Sequence, residues 1–206
     1  MDLRKHNPTP ISGKDALLIN QVAFYDDPIR FTDSVNKIAD ELEKRVKDKK
    51  GVASKETPRI LVSGCPMAVP NWKVPHVIET NGAVIVGEES CVGMRNIRNL
   101  VSDKGNTVEQ LVDNLVDRYF KIDCAIFTPN KDRLDHIVQM AKDLKADGVV
   151  HYSLQFCTPY STESHLVENT LQKAKIPLLK IETDYSMEDM GQLITRVQAF
   201  VEMIKK

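Results

Sequence analysis

From residue 59 onward the chain alternates between two kinds of block. Short apolar runs at 59–63, 83–87, 148–156 and 177–182 predict four strands. Between and after them lie longer stretches whose apolar residues return every three or four positions, the repeat of a helix with one buried face. These predict helices over 72–81, 107–118, 130–146, 161–174 and 187–204. The buried faces read as Val108, Leu111, Val112 and Leu115; then Leu134, Ile137, Val138, Ala141 and Leu144; then Met190, Ile194, Val197, Phe200 and Val201. Gly82 suits a C-cap, and Thr107 or Asn106 suits an N-cap. Segments 91–106 and 119–129 have no clear period.

Strands separated by helices imply right-handed crossovers and a parallel sheet. The strands are continuous apolar runs, as expected when helices cover both faces. The expected fold is a three-layer α/β domain, flavodoxin-like or Rossmann-like, with a four-stranded parallel sheet, preceded by a helical segment. That segment and its linker occupy 1–58, and the α/β domain 59–206. Within the first part, 29–47 is an amphipathic helix with Phe31, Val35, Ile38, Leu42 and Val46 on one stripe, expected to pack against the sheet domain or a second chain. A shorter helix candidate lies around 15–22.

The 206 residues carry 28 basic and 29 acidic side chains, a net charge of −1. This balance argues against non-specific nucleic-acid binding, which needs a basic stripe. No apolar run approaches the roughly 20 residues of a membrane span, and residues 1–8 have no apolar signal core. A cytoplasmic protein with no membrane partner is expected. No G-x-G-x-x-G follows the first strand, no P-loop is present and no G-x-S-x-G appears, which argues against nicotinamide binding, ATP hydrolysis by this chain and nucleophile-elbow hydrolysis.

The candidate chemistry is in four cysteines. Cys65, Cys91 and Cys157 each follow a predicted strand, and Cys124 lies in an irregular stretch. Strand C-terminal ends of a parallel sheet share one edge, where ligands bind, so thiols distant in sequence are expected to gather there. In a reducing compartment they are thiols or metal ligands before they are disulfides. There is no C-x-x-C and no close Cys/His pairing, so the spacing is not that of a zinc finger or ribbon. The alternative is four buried cysteines serving as small hydrophobes.

Their surroundings add detail. Ser63-Gly64-Cys65-Pro66 allows a tight exit from the first strand. In Glu89-Ser90-Cys91-Val92-Gly93-Met94-Arg95 the arginine can offset thiolate charge, bind an anion, or simply be solvated. Gln155-Phe156-Cys157-Thr158-Pro159-Tyr160 sets a thiol beside two aromatics, consistent with a partly dry pocket. Ser186, after Glu182-Thr183-Asp184-Tyr185, suits a cap of the last helix or a place at the functional edge. His76, His151 and His165 read as packed or solvated, and Trp72 as packing its helix onto the sheet.

With these residues in view, the chain resembles the 2-hydroxyacyl-CoA dehydratase and benzoyl-CoA reductase superfamily. The resemblance rests on segments 61–66, 78–83, 89–95, 147–150, 155–157 and 181–186, in that order. The additional cysteines at 65, 91 and 124 look most like the double-cubane cluster branch. The resemblance implies an iron–sulfur cluster, [4Fe-4S] or double-cubane [8Fe-9S], held by Cys65, Cys91, Cys124 and Cys157. It also implies a separate ATP-hydrolysing reductase as electron donor, and an N-terminal α/β domain or companion subunit that shares the cluster. No second sheet is visible here, so a complete double cluster on this chain alone is not expected, and a homo-oligomer is. The functional expectation is an iron–sulfur component of an ATP-dependent low-potential reductase. The alternatives are a 2-hydroxyacyl-CoA dehydratase subunit or a cluster-free interaction module.

Overall fold

The computed structural model describes residues 1–205. Four parallel strands, β1 (Arg59–Gly64), β2 (Val84–Glu89), β3 (Gly148–Leu154) and β4 (Leu178–Thr183), form one sheet in the order β2-β1-β3-β4. The register is Ile60 opposite Ile85 on one side and opposite Gly148 on the other. The three-layer α/β architecture read from the sequence is therefore present.

Side chains alternate across each strand, so an apolar strand feeds two cores. Ile60, Val62, Ile85, Val150 and Ile181 face one helical layer, packing with α1 (Gly13–Val22), α3 (Lys73–Thr80) and α8 (Met190–Ile204) through Leu17, Val77, Ile78, Val197 and Phe200. Leu61, Val86 and Val149 face the other, against Ile137, Ala141 and Leu144 of the α6 region and Val167 and Leu171 of α7. Here α6 spans Lys131–Asp143 and α7 spans Thr158–Lys173.

The N-terminal segment seals the outer edge of β2. A 3₁₀ turn over Asp2–Lys5 buries Arg4, whose Nη2 donates to the Ile85 carbonyl at 2.9 Å. Helix α1 closes on the same strand because Gly13 lacks a side chain; a Cβ there would lie 2.3 Å from Ile85 Cβ. Helix α2 (Pro28–Lys47) starts at Asp27, whose Oδ1 accepts the N–H groups of Ile29 and Arg30, both at 3.0 Å. Its stripe of Phe31, Val35, Leu42 and Val46 is half-buried, and Ile38 sits at the edge of exposure. Phe31, Val35 and Leu42 line a cavity with residues of the 3₁₀ turn and α1. The helix thus rests on the N-terminal segment.

Two expectations of packing are corrected. The periodic segment near residue 108 does form a helix, α5 (Val108–Tyr119), following the short α4 (Arg95–Arg98). Thr107 caps α5 with a reciprocal Gln110 contact. Yet none of its residues is buried: Val108, Leu111, Val112 and Leu115 remain between 43% and 73% exposed. Periodicity reports that a face is apolar, not that something covers it. The second correction concerns the β3 exit. The strand ends at Leu154, and Phe156 turns outward at φ +68°, 90% exposed, so it does not dry the Cys157 surroundings; Tyr160 is the buried aromatic there.

Candidate functional site

Cys65 follows β1 directly, Cys91 lies two residues beyond β2, and Cys157 is the residue before α7, after β3. Because β2, β1 and β3 are neighbours and parallel, these thiols stand at one edge in the spatial order Cys91, Cys65, Cys157. Gly64 makes the first exit possible. Its φ is +123°, and a Cβ there would fall 1.9 Å from the Tyr152 carbonyl oxygen. The chain can therefore cross β3 closely, and the Cys65 N–H donates to that carbonyl at 2.9 Å.

The four thiols have distinct environments. Cys65 is buried, and its sulfur accepts the Leu154 N–H at 3.3 Å. Burial pushes its thiol up to about 12; the Leu154 N–H opposes this and the neighbouring Cys157 thiol reinforces it. Cys157 is half-buried beside it, and Cys91 is exposed. Cys91 lies 3.4 Å from Arg95 Nη1, which is also 3.4 Å from the Tyr160 hydroxyl. Cys124 is half-buried, and its carbonyl accepts the Asn130 Nδ2 amide at 2.8 Å. The structure thus sets Cys157 beside Cys65 and Cys91 beside Arg95. Among the described residues, no three His, Cys, Asp or Glu side chains converge as a metal-ligand group.

Beneath this edge is a buried ionic network. Arg133, with no exposed side-chain surface, donates from Nη2 to Glu89 Oε2 at 2.9 Å and Ser63 Oγ at 3.1 Å, and from Nη1 to Glu163. Its guanidinium also lies 5.2 Å from the centre of the Tyr160 ring. Asn130 ties the far oxygen of Glu163, at 2.7 Å, to the Cys124 carbonyl, at 2.8 Å. Arg95 is buried between Glu89, which accepts its Nε at 3.1 Å, and Asp123, 3.4 Å away. It is therefore not a solvated arginine. Asp123 is further paired with Arg98 and His136, both at 2.8 Å. Burial pushes the Asp123 carboxyl up, but Arg98 and His136 outweigh it and hold it below the usual carboxylate range.

His76 and His165 are exposed and His151 is buried. Burial and the Arg133 charge lower His151 to about 4. Trp72 is half-buried against the core, and its Nε1–H donates to the Met67 carbonyl at 3.1 Å. Ser186 does not cap α8, which begins at Met190 after Asp189. Its hydroxyl instead accepts the Glu188 N–H at 3.1 Å, and its carbonyl accepts the buried Lys73 ammonium at 2.6 Å.

The sequence reading missed Arg133 and Glu163, although a signal was present. Arg133 is one turn before Ile137 and two before Ala141, and Glu163 stands likewise to Val167 and Leu171. A charge in register with a buried stripe must find a counter-charge inside.

The donor set suits an iron–sulfur group chemically, since thiolates are its usual ligands and Arg95 offers compensating positive charge at Cys91. With no three of the thiols converged, it fits as an incomplete ligand set. Comparison with known proteins shows the family. The sequence model of HGD-D, the D-component of 2-hydroxyglutaryl-CoA dehydratase, matches residues 1–204, so the first 58 residues share in the match. A protein of Escherichia coli named "Putative dehydratase subunit YjiM" is 37% identical over 96% of this chain and 51% of its own length. The (R)-phenyllactyl-CoA dehydratase beta subunit of Clostridium sporogenes is 28% identical over 88% of this chain and 46% of its own. A benzoyl-CoA reductase subunit of Thauera aromatica is 20% identical over 71% of this chain and 38% of its own. The chain spans about half the length of the first two relatives. It belongs to the 2-hydroxyglutaryl-CoA dehydratase D-component family, within the superfamily that includes benzoyl-CoA reductase subunits.

Proposed function

We propose that the chain is the iron–sulfur component of an ATP-dependent low-potential reductase of the double-cubane type. Cys65, Cys91, Cys124 and Cys157 would supply thiolates, and a separate ATP-hydrolysing reductase would supply electrons in the cytoplasm. The carrying observation is that three thiols stand on three adjacent strand ends. A bound cluster would supply one-electron chemistry. The contributions of this chain are thiolate donation, positive charge from Arg95 and rigidity from the network below. Because the thiols do not converge as three, the remaining ligands come from outside this chain: a further domain, a companion subunit or a second copy.

A second reading, a subunit that dehydrates a 2-hydroxyacyl-CoA, is favoured by the dehydratase names of two relatives. Anaerobic protein, wild type and Cys157→Ser, tests the first reading by its colour and its electron paramagnetic resonance after reduction. A brown wild type with a cluster signal that Cys157→Ser weakens is expected. A colourless, silent wild type would favour a cluster-free module. Release of water from a 2-hydroxyacyl-CoA with added reductase would favour the second reading.

A further inference from the structure

Cys65 and Cys157 are joined through the backbone at the β3 exit. The Cys65 N–H donates to the Tyr152 carbonyl at 2.9 Å, which fixes the β1 exit against the end of β3. The Cys65 sulfur then accepts the Leu154 N–H at 3.3 Å. Leu154 opens the turn that Cys157 closes, and the Cys157 N–H donates back to the Leu154 carbonyl at 2.9 Å. A turn closed in this way keeps its first and last Cα within about 7 Å. One sulfur is therefore bonded to the first residue of a turn whose last residue carries the other. Cys157 also packs against the core cluster that contains Cys65, and its side chain acts directly on the Cys65 thiol. Neighbouring strands lie about 4.8 Å apart, inside the roughly 4.4–6.8 Å of Cα separation that a disulfide spans.

The two thiols differ in access. Cys65 is 5% exposed, whereas Cys157 is half-buried among the exposed Gln155, Phe156 and Thr158. A small reagent reaches Cys157 first. Once Cys157 is modified, the Cys65 sulfur stands beside it, and its attack needs no second encounter. Cys91 is exposed too, but the group beside it is Arg95 Nη1, at 3.4 Å.

We infer that Cys65 and Cys157 are a redox pair that closes into a disulfide by exchange with a small disulfide of the glutathione class. The Cys157 thiolate attacks one sulfur of the small disulfide, whose S–S bond breaks and releases one small thiolate. The Cys65 sulfur, its proton passed to solvent, then attacks the Cys157 sulfur and expels the second small thiolate. The protein thiols lose two electrons and two protons, and the small disulfide gains them as two thiols. The closed pair withholds two of the four thiols from a metal until it is reduced. Its formation needs no cluster and so does not rest on the proposed function.

The test uses the full chain, reduced and free of iron, with oxidised glutathione as the probe under anaerobic conditions. Free thiols are then alkylated and the peptides mapped by mass spectrometry. A linked Cys65–Cys157 peptide is expected as the main cross-link, and dithiothreitol should open it. In Cys65→Ser, glutathione should accumulate on Cys157 at least about tenfold above wild type, because the resolving sulfur is gone. A link from Cys65 to Cys91 or Cys124 would overturn the proposal. So would wild-type protein that keeps glutathione on Cys157 with Cys65 free, or that leaves both thiols free while Cys91 reacts. The wild-type map needs no variant, so it decides even if the substitution prevents folding. It reads sulfur bonds without iron, so a chain that binds no cluster leaves its result standing.

Discussion

Arg133 on α6 and Glu89 at the end of β2 meet at 2.9 Å with no exposed side-chain surface on either. This contact joins a helix of one layer to the strand end that carries Cys91. Its second arm, through Glu163, joins α6 to α7, the helix that Cys157 precedes. The thiol edge therefore rests on a charge-balanced frame, with Arg95, Arg98 and Arg133 facing Glu89, Asp123 and Glu163.

Removing one member of such a frame strands the others without water. Arg133→Met leaves Glu163 buried without a counter-charge and Glu89 with Arg95 as its remaining cation, and is expected to destabilise the fold by about 3–5 kcal/mol. Urea unfolding of the two proteins measures it. A loss below about 1 kcal/mol would mean that the network is solvated.

His151 gives the fold an acid-sensitive contribution. Its imidazole is lowered to about 4, first by burial and then by Arg133, from an ordinary 6.5. The unfolded chain binds the proton more readily, so this contribution is fully present above about 6.5 and is lost as pH falls towards 4. Its size is on the order of 3 kcal/mol at about 1.4 kcal/mol per pH unit. Urea midpoints between pH 7 and pH 4, compared with His151→Phe, should show a steeper decline in the wild type. Parallel curves would contradict it.

Helix α5 should be tolerant where α6 is not. Leu111→Gln changes a side chain that is 44% exposed, and its effect should stay within about 0.5 kcal/mol. Ile137→Ala, at 1% exposure, should cost about 2–5 kcal/mol. Thermal or urea unfolding of both variants decides it, and a large cost at Leu111 would show that α5 is covered in solution.

The cluster-free protein should alkylate unevenly. Cys91 is exposed, whereas Cys65 is 5% exposed with its thiol pushed up to about 12. Since the thiolate is the nucleophile, iodoacetamide at neutral pH should label Cys91 at least about tenfold faster than Cys65. Peptide mapping by mass spectrometry reads the order directly, and a faster Cys65 would contradict its described environment.

The strand–helix alternation was legible because β1, β2 and β3 are two-sided apolar runs, while the helices between them repeat every three or four residues. The edge position of Cys65, Cys91 and Cys157 followed from parallel topology alone. What the sequence could not reveal was contact. Nothing in the pattern of α5 tells an apolar face that is covered from one that is not. The partnership of Arg133, Glu89 and Glu163 spans up to 74 residues, from Glu89 to Glu163, and depends on how helices dock. The outward turn of Phe156 arises from a positive φ that a bulky residue rarely adopts.

Iron and acid-labile sulfide counted after anaerobic reconstitution test the central claim most directly. The comparison is between wild-type protein and a variant with Cys65, Cys91, Cys124 and Cys157 all changed to serine. The account predicts iron and sulfide in near-equal amounts on the wild type, below the full content of a double cubane because the ligand set is incomplete, and none above background on the variant. Equal iron on both proteins would contradict thiolate ligation. A stable, full double-cubane content on the isolated chain would contradict the need for ligands from outside it.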